Sequence, residues 1–197
     1  MRTPSLAPAL ALALGLTLAG CGSDDAPSAG GGSSAPVSIS ASASASDFND
    51  TDVRFTQSML PHHMQAARNA EIEIEMGADP EVKAIAQKIL DTQTAEIEKM
   101  RGFLAEFGAT EQPAPADQQA VWDKNTADLR DAPTPEARDI VFLTNMVPHH
   151  SAAVPMSQTE IELGTYSDAV ELAEEIKETQ RMEIVQMNMI LRAKAAA

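Results

Sequence analysis

Phe55-Thr-Gln-Ser-Met59-Leu-Pro61-His62-His63 returns as Phe142-Leu-Thr-Asn-Met146-Val-Pro148-His149-His150. The offset of 87 residues runs without a gap from Phe55 to Leu104 and from Phe142 to Leu191, and about 18 of those 50 positions are identical. Glu73-Ile74-Glu75-x-Gly77 pairs with Glu160-Ile161-Glu162-x-Gly164. Gln93-x-x-Glu96-Ile97-x-x-Met100 pairs with Gln180-x-x-Glu183-Ile184-x-x-Met187. The folded part is therefore duplicated.

Each unit reads as two helices. Gly77 is a helix stop, Asp79 an N-cap and Pro80 a first-turn residue. Val82, Ile85, Ala86, Ile89, Gln93, Ile97, Met100 and Leu104 then recur at steps of three and four, the period of an amphipathic helix. In the second unit Gly164 stops one helix, Ser167 caps the next, and Thr134-Pro135 opens the pair. The spacing predicts helices at about 48-76, 80-107, 135-163 and 167-194, with no period-two stretch for a strand. The expected class is all-α: a four-helix bundle, ferritin-like, built from two duplicated hairpins. Repeat 1 spans about 48-107, the linker 108-134 and repeat 2 about 135-194. The linker is rich in Pro and Ala. A short helix around Asp117-Arg130 would carry Val121, Trp122 and Leu129 on its apolar face. Helices of ~28 residues are about 42 Å long, and this linker can run that height. The second and third long helices are then parallel; an up-down order with a surface detour is the alternative.

Composition narrows the function. The chain has 197 residues, 44% hydrophobic, which is enough for a real core. Its net charge of -15 and 4% aromatic content argue against nucleic acid, which needs a basic patch and stacking platforms. A single Cys excludes an intramolecular disulfide framework and a multi-thiolate metal site.

That Cys has its own reading. Arg2 precedes an apolar run from Leu6 to Leu18, too short to span a bilayer, which ends in Leu18-Ala19-Gly20-Cys21. The pattern resembles a bacterial lipobox. Residues 1-20 are then a signal peptide, Cys21 the lipidated residue, 21-46 a Gly/Ser/Ala tether, and 47-197 the folded domain. The expected location is extracytoplasmic, on the cell membrane through the lipid. An ordinary signal peptide with a coincidental Cys is the alternative.

All four His lie in the two pairs, His62-His63 and His149-His150, near mid-helix. Neighbours on a helix are ~100° apart, so both members of a pair border the inward stripe. Met59 and Met146 lie one turn earlier on the same face. A hairpin turning near residue 78 reflects these positions onto Gln93, Glu96 and Met100; Gln180, Glu183 and Met187 stand in the same relation to the second pair. Thioether suits Cu(I) and imidazole suits Cu(II), Zn and Ni, so the set favours copper over Mg or Ca. The structural alternative is that each His bonds the Glu or Gln opposite and holds its hairpin. Met64, Met76, Met182 and Met189 read as core packing. Pro61 and Pro148 either kink their helices or start them.

The motif Phe-x-x-x-Met-[Leu/Val]-Pro-His-His-x-x-Ala, followed by Gln-x-x-Glu-Ile-x-x-Met, resembles the bacterial family called domain of unknown function 305, over about residues 48-194. The resemblance implies a ferritin-like fold and a copper-binding envelope protein. It carries most strongly to Met59, His62, His63, Met146, His149 and His150, then to Met100 and Met187. Family members often have a Met six residues after the second His. Met156 meets this, but the first unit has Asn69, and Pro155 is a further departure.

Three functions compete. The first is non-catalytic copper sequestration, buffering or delivery, with no enzymatic activity. The second is a di-iron oxidase, which wants Glu-x-x-His; Gln93-x-x-Glu96 and Gln180-x-x-Glu183 lack that His. The third is a structural or protein-binding lipoprotein. No Gly-x-Ser-x-Gly elbow, phosphate loop or His-Glu-x-x-His motif points to hydrolysis.

Overall fold

A computed structural model of the chain describes residues 48-196. The expected signal peptide, Cys21 and the tether lie outside the described residues. The described part is helical, with no strand: α1 Asp50–Met76, α2 Pro80–Glu106, α3 Ala116–Arg130, α4 Pro135–Leu163 and α5 Ser167–Ala196. The four long helices begin and end within two residues of the expected limits. No described helix is long and apolar enough to cross a membrane.

Local chemistry explains most helix ends. Asn49 and Asp52 form a reciprocal capping box on α1. Asp79 accepts from Glu81 N at 2.8 Å, ahead of Pro80, and Thr134 accepts from Ala137 N at 3.2 Å, ahead of Pro135. Ser167 departs from expectation. It is the first residue of α5, and its hydroxyl bonds Asp168 rather than a backbone N–H. The two stop glycines also work differently from a left-handed cap. Gly77 and Gly164 have φ of -71° and -69°, open to any residue. A Cβ at Gly77 would instead collide with the Glu73 carboxyl, and one at Gly164 would lie 2.5 Å from Glu160 Oε1. Glycine is there for space.

Two end contacts set the direction of the helices. At one end Asn49 Nδ2 donates to Leu163 O at 2.8 Å. At the other the Arg138 guanidinium, in the first turn of α4, donates to Met76 O at 3.0 Å. α1 and α4 are therefore antiparallel. Since α2 and α5 fold back in hairpins, α2 and α4 run the same way, and the 107-134 segment returns along the length of the helices. Lys99–Glu175 (2.9 Å) and Lys194–Asp79 (2.5 Å) join α5 to α2 and the first hairpin turn.

The core has two apolar clusters. One holds Phe55, Met59, Met100, Phe103, Leu172 and Ile176, with Met156 packed against it. The other holds Ala70, Ile85, Ile89, Phe142, Met146 and Met187. The His pairs lie between them in chain position on α1 and α4. α3 meets α1 and α4 through Trp122, Thr126 and Leu129, while Val121 is 58% exposed, contrary to its expected place on the apolar face. Met64, Met76, Met182 and Met189 are also exposed rather than packed in the core, because the inward arc of each helix is already filled by its neighbours. Pro61, Pro148 and Pro155 lie inside their helices, so none of them starts one.

Candidate metal centre

The 100° step along a helix sends the two members of each His pair to different neighbours. His63 points into its own hairpin, where Nε2 lies 2.9 Å from Glu96 Oε2 on α2. His150 does the same with Glu183 Oε2 on α5, also at 2.9 Å. His62 and His149 point across the α1–α4 seam at each other. Their ring centroids are 3.6 Å apart, with planes tilted by 30°. The duplication thus joins all four imidazoles into one group.

Trp122 closes the outer side of that group. Its ring centroid lies 5.7 Å from that of His62, edge-on, and 6.0 Å from that of His149. The sequence puts Trp122 on the apolar face of α3 and holds nothing that connects it to the histidines. Two aromatic signals 60 residues apart carry no local hint of contact.

All four histidines are buried. Burial, reinforced by the neighbouring imidazoles, lowers the His62 pKa to about 3 and pushes His149 well below its ordinary value. Both rings are therefore neutral at physiological pH and keep a nitrogen lone pair. Nδ1 of His62, His63 and His150, and both ring nitrogens of His149, are buried without a hydrogen-bond partner. So are both amide atoms of Gln93 and Gln180. One difference between the halves is that Lys88 Nζ reaches Glu183 Oε1 at 3.4 Å.

The other expected site residues are distributed unevenly. Met59 and Met100 share the first apolar cluster, and Met146 and Met187 the second, all fully buried or nearly so. Met156 is half-buried against the first. Its counterpart Asn69 is buried and accepts from Thr126 Oγ1 of α3 at 2.8 Å. The departure at position 69 thus coincides with a hydrogen bond that ties α3 to α1. Among the described residues, no group of three or more His, Asp or Glu side chains is arranged to hold a metal ion.

A second set of buried acids has no counterpart among the site residues expected from the sequence. Asp52 and Asp139 occupy equivalent places in the repeats, and each caps the other repeat's hairpin turn. Asp52 Oδ1 accepts from Thr165 N at 3.0 Å and Tyr166 N at 2.9 Å. Asp139 Oδ1 accepts from Ala78 N at 2.9 Å. Burial raises both aspartates, but the backbone N–H donors outweigh it and hold them below the ordinary range. Beside them lie Glu160 and Glu73. Burial, helped by the neighbouring aspartate, lifts each of these to about 8. Neither oxygen of either Glu meets an N–H donor. Each is a neutral acid whose O–H can donate to the aspartate. The signal was present in the repeated Glu-x-x-x-Gly spacing, but spacing does not report protonation.

The family model described as Domain of unknown function (DUF305) matches residues 52–191. The chain belongs to the DUF305 family. Solved DUF305 structures share its fold. A DUF305 fragment from Deinococcus radiodurans is 27% identical with a TM-score of 0.68, over 74% of this chain and 98% of that one. A DUF305 protein from Streptomyces coelicolor is 24% identical with a TM-score of 0.66, over 74% and 94%. A protein named CopM, in its Cu(I)-bound form, is 27% identical with a TM-score of 0.64, over 74% and 98%. No curated protein matches this DUF305 chain.

Proposed function

We propose that this DUF305 protein binds copper, as Cu(I) in the reducing case, at the histidine group, and that it sequesters, buffers or delivers the ion without catalysis. The observation that carries the reading is the set of buried imidazoles with unpartnered nitrogens around the α1–α4 seam. A buried nitrogen without a donor or acceptor is costly unless something occupies it, and neutral imidazole is the form that ligates a metal. His62 and His149 would supply the central nitrogens. His63 and His150, oriented by Glu96 and Glu183, would supply others, since a carboxylate on the second nitrogen fixes the ring and raises its basicity. Because no three of these groups converge, ring rotation or thioether ligands complete the shell. Met59, Met100, Met146 and Met187 are the nearest candidates in register, with Met156 behind them. The bound form of CopM, similar over most of this chain, supports copper as the ion. We place the site in a ferritin-like four-helix bundle, held outside the cell membrane by lipid on Cys21.

The test is an anaerobic Cu(I) titration of the chain against a competing chelator, beside a variant with His62, His63, His149 and His150 all changed to Gln. Tight uptake by the natural chain and its loss in the variant support the reading. Equal uptake by both, or none, overturns it. The second reading has its own observation, the matched 2.9 Å His–Glu bonds. In that case the variant loses stability and nothing else.

A further inference from the structure

The four imidazoles are at most 9% exposed, so an ion reaches them only if something moves. α3 is the element lying over His62 and His149, and it is held unevenly. Its C-terminal end is bolted down: Arg138 donates to Leu129 O at 2.9 Å, Arg130 O at 3.1 Å and Ala132 O at 3.2 Å. Leu129 is buried, and Thr126 bonds Asn69. Its N-terminal end has no side-chain cap, and residues 116-121 are exposed or half-buried. Between that end and α1 lies a crevice of about 390 Å³. Met64 and Gln65 line one wall and Trp122 lines the other. Met64 is 43% exposed, and Gln65, 9% exposed, has a buried Oε1 without a partner. Trp122 thus has the crevice on one side and the His62–His149 pair on the other.

We propose that this crevice is the entry route of the soft metal ion to His62 and His149, that Trp122 is its gate, and that Met64 and Gln65 are its first contacts. The inference rests on the copper reading for its cargo, though the gate itself is testable without metal. A swing of the N-terminal half of α3 about the Arg138 anchor lifts Trp122 from the seam and opens the pair to the crevice. The Met64 thioether then meets the ion at the mouth, a ligand type suited to Cu(I). The Gln65 carbonyl oxygen follows. Small-amplitude opening of a weakly held helix is the local event expected where buried contacts are fewest.

The test labels the metal-free chain with diethyl pyrocarbonate and reads each histidine by mass spectrometry. Trp122→Ala, Trp122→Phe and Thr126→Val are compared with the natural chain, each checked for native helicity. His62 and His149 are expected to react on the order of tenfold faster in the folded variants, with His63 and His150 little changed. A uniform rise at all four histidines overturns the gate, because it reports a loosened core. No rise in any folded variant overturns it too. Stopped-flow Cu(I) transfer then tests the route: Met64→Leu slows uptake several-fold with the final amount unchanged. Unchanged kinetics overturn the route. Absence of uptake in the natural chain sinks the copper reading and leaves the labelling result to decide the gate.

Discussion

At the scale of single residues, Gly77 and Gly164 show how one side chain sets the identity of another. Each glycine has ordinary extended dihedrals, and each is required because the carboxyl and the main-chain carbonyl oxygen of a buried glutamic acid both lie within 3 Å of where a Cβ would sit, the carbonyl at 2.7 Å. Gly77→Ala is expected to cost about 1–3 kcal/mol, the range for forcing an extra methyl into a filled site. Urea unfolding of the single variants and of Gly77→Ala with Glu73→Ala checks the cause. The double variant is expected to lose somewhat less than the sum, because removing the carboxyl relieves its share of the clash while Glu73 O, 2.7 Å from the methyl, stays in place. Additive losses would assign the cost to the main-chain carbonyl of Glu73 alone. The His pairs follow the same logic. Adjacent residues on one helix receive different partners, so His63 bonds Glu96 while His62 meets His149.

At the scale of elements, α3 depends on Arg138. This buried guanidinium donates to three carbonyls at the end of α3 and the loop beyond, and to Met76 O at the end of α1. Helix C-termini leave such carbonyls unpaired unless a side chain or water reaches them. Arg138→Ala is expected to destabilise the chain by about 1–3 kcal/mol, the cost of leaving buried acceptors unmet. Hydrogen exchange gives the finer readout. Amides of α3 lose protection in the variant while those of α2 and α5 keep most of theirs. Unchanged protection of α3 would show that Trp122 and Leu129 hold it alone.

At the scale of the whole molecule, the two repeats are clasped at both ends by reciprocal carboxyl pairs, Asp52 with Glu160 and Asp139 with Glu73. Stability should carry their signature. Glu73 and Glu160 titrate near 8 folded against an ordinary 4.5. Between those values the folded chain keeps protons that the unfolded chain has lost, so these groups make stability fall as pH rises through that window. His62 acts oppositely. Its folded value of about 3 lies below the ordinary 6.5, so its contribution is present above 6.5 and is lost as pH falls toward 3. His149 shifts in the same direction. The slopes oppose each other between about 4.5 and 6.5, giving a plateau, and stability declines from about 6.5 to 8. Thermal unfolding across this range should flatten above pH 6.5 in Glu73→Gln with Glu160→Gln. An undiminished decline there would assign it to other groups.

The local signals were sufficient for the helices. Asp79-Pro80, Thr134-Pro135 and the three- and four-residue spacing placed the four long elements, because caps and periodicity act within a turn or two of the chain. The hairpin reflection likewise brought Glu96 to His63 and Glu183 to His150, since a short turn fixes the register of the helices it joins. Other features needed the folded chain. The direction of α4 relative to α1 depends on contacts between residues far apart, such as Asn49 with Leu163. Mid-helix placement puts the two pairs at one height, but which member of each pair meets across the seam, and that Trp122 covers it, is seen only in the packed helices. Exposure of Met64 and Met189 was not readable either, because thioethers suit both core and surface and the choice depends on which arc the neighbours fill. The neutrality of Glu73 and Glu160 lay furthest from the sequence. Protonation is set by burial and by the aspartate alongside, and both exist only once the two repeats have closed on each other.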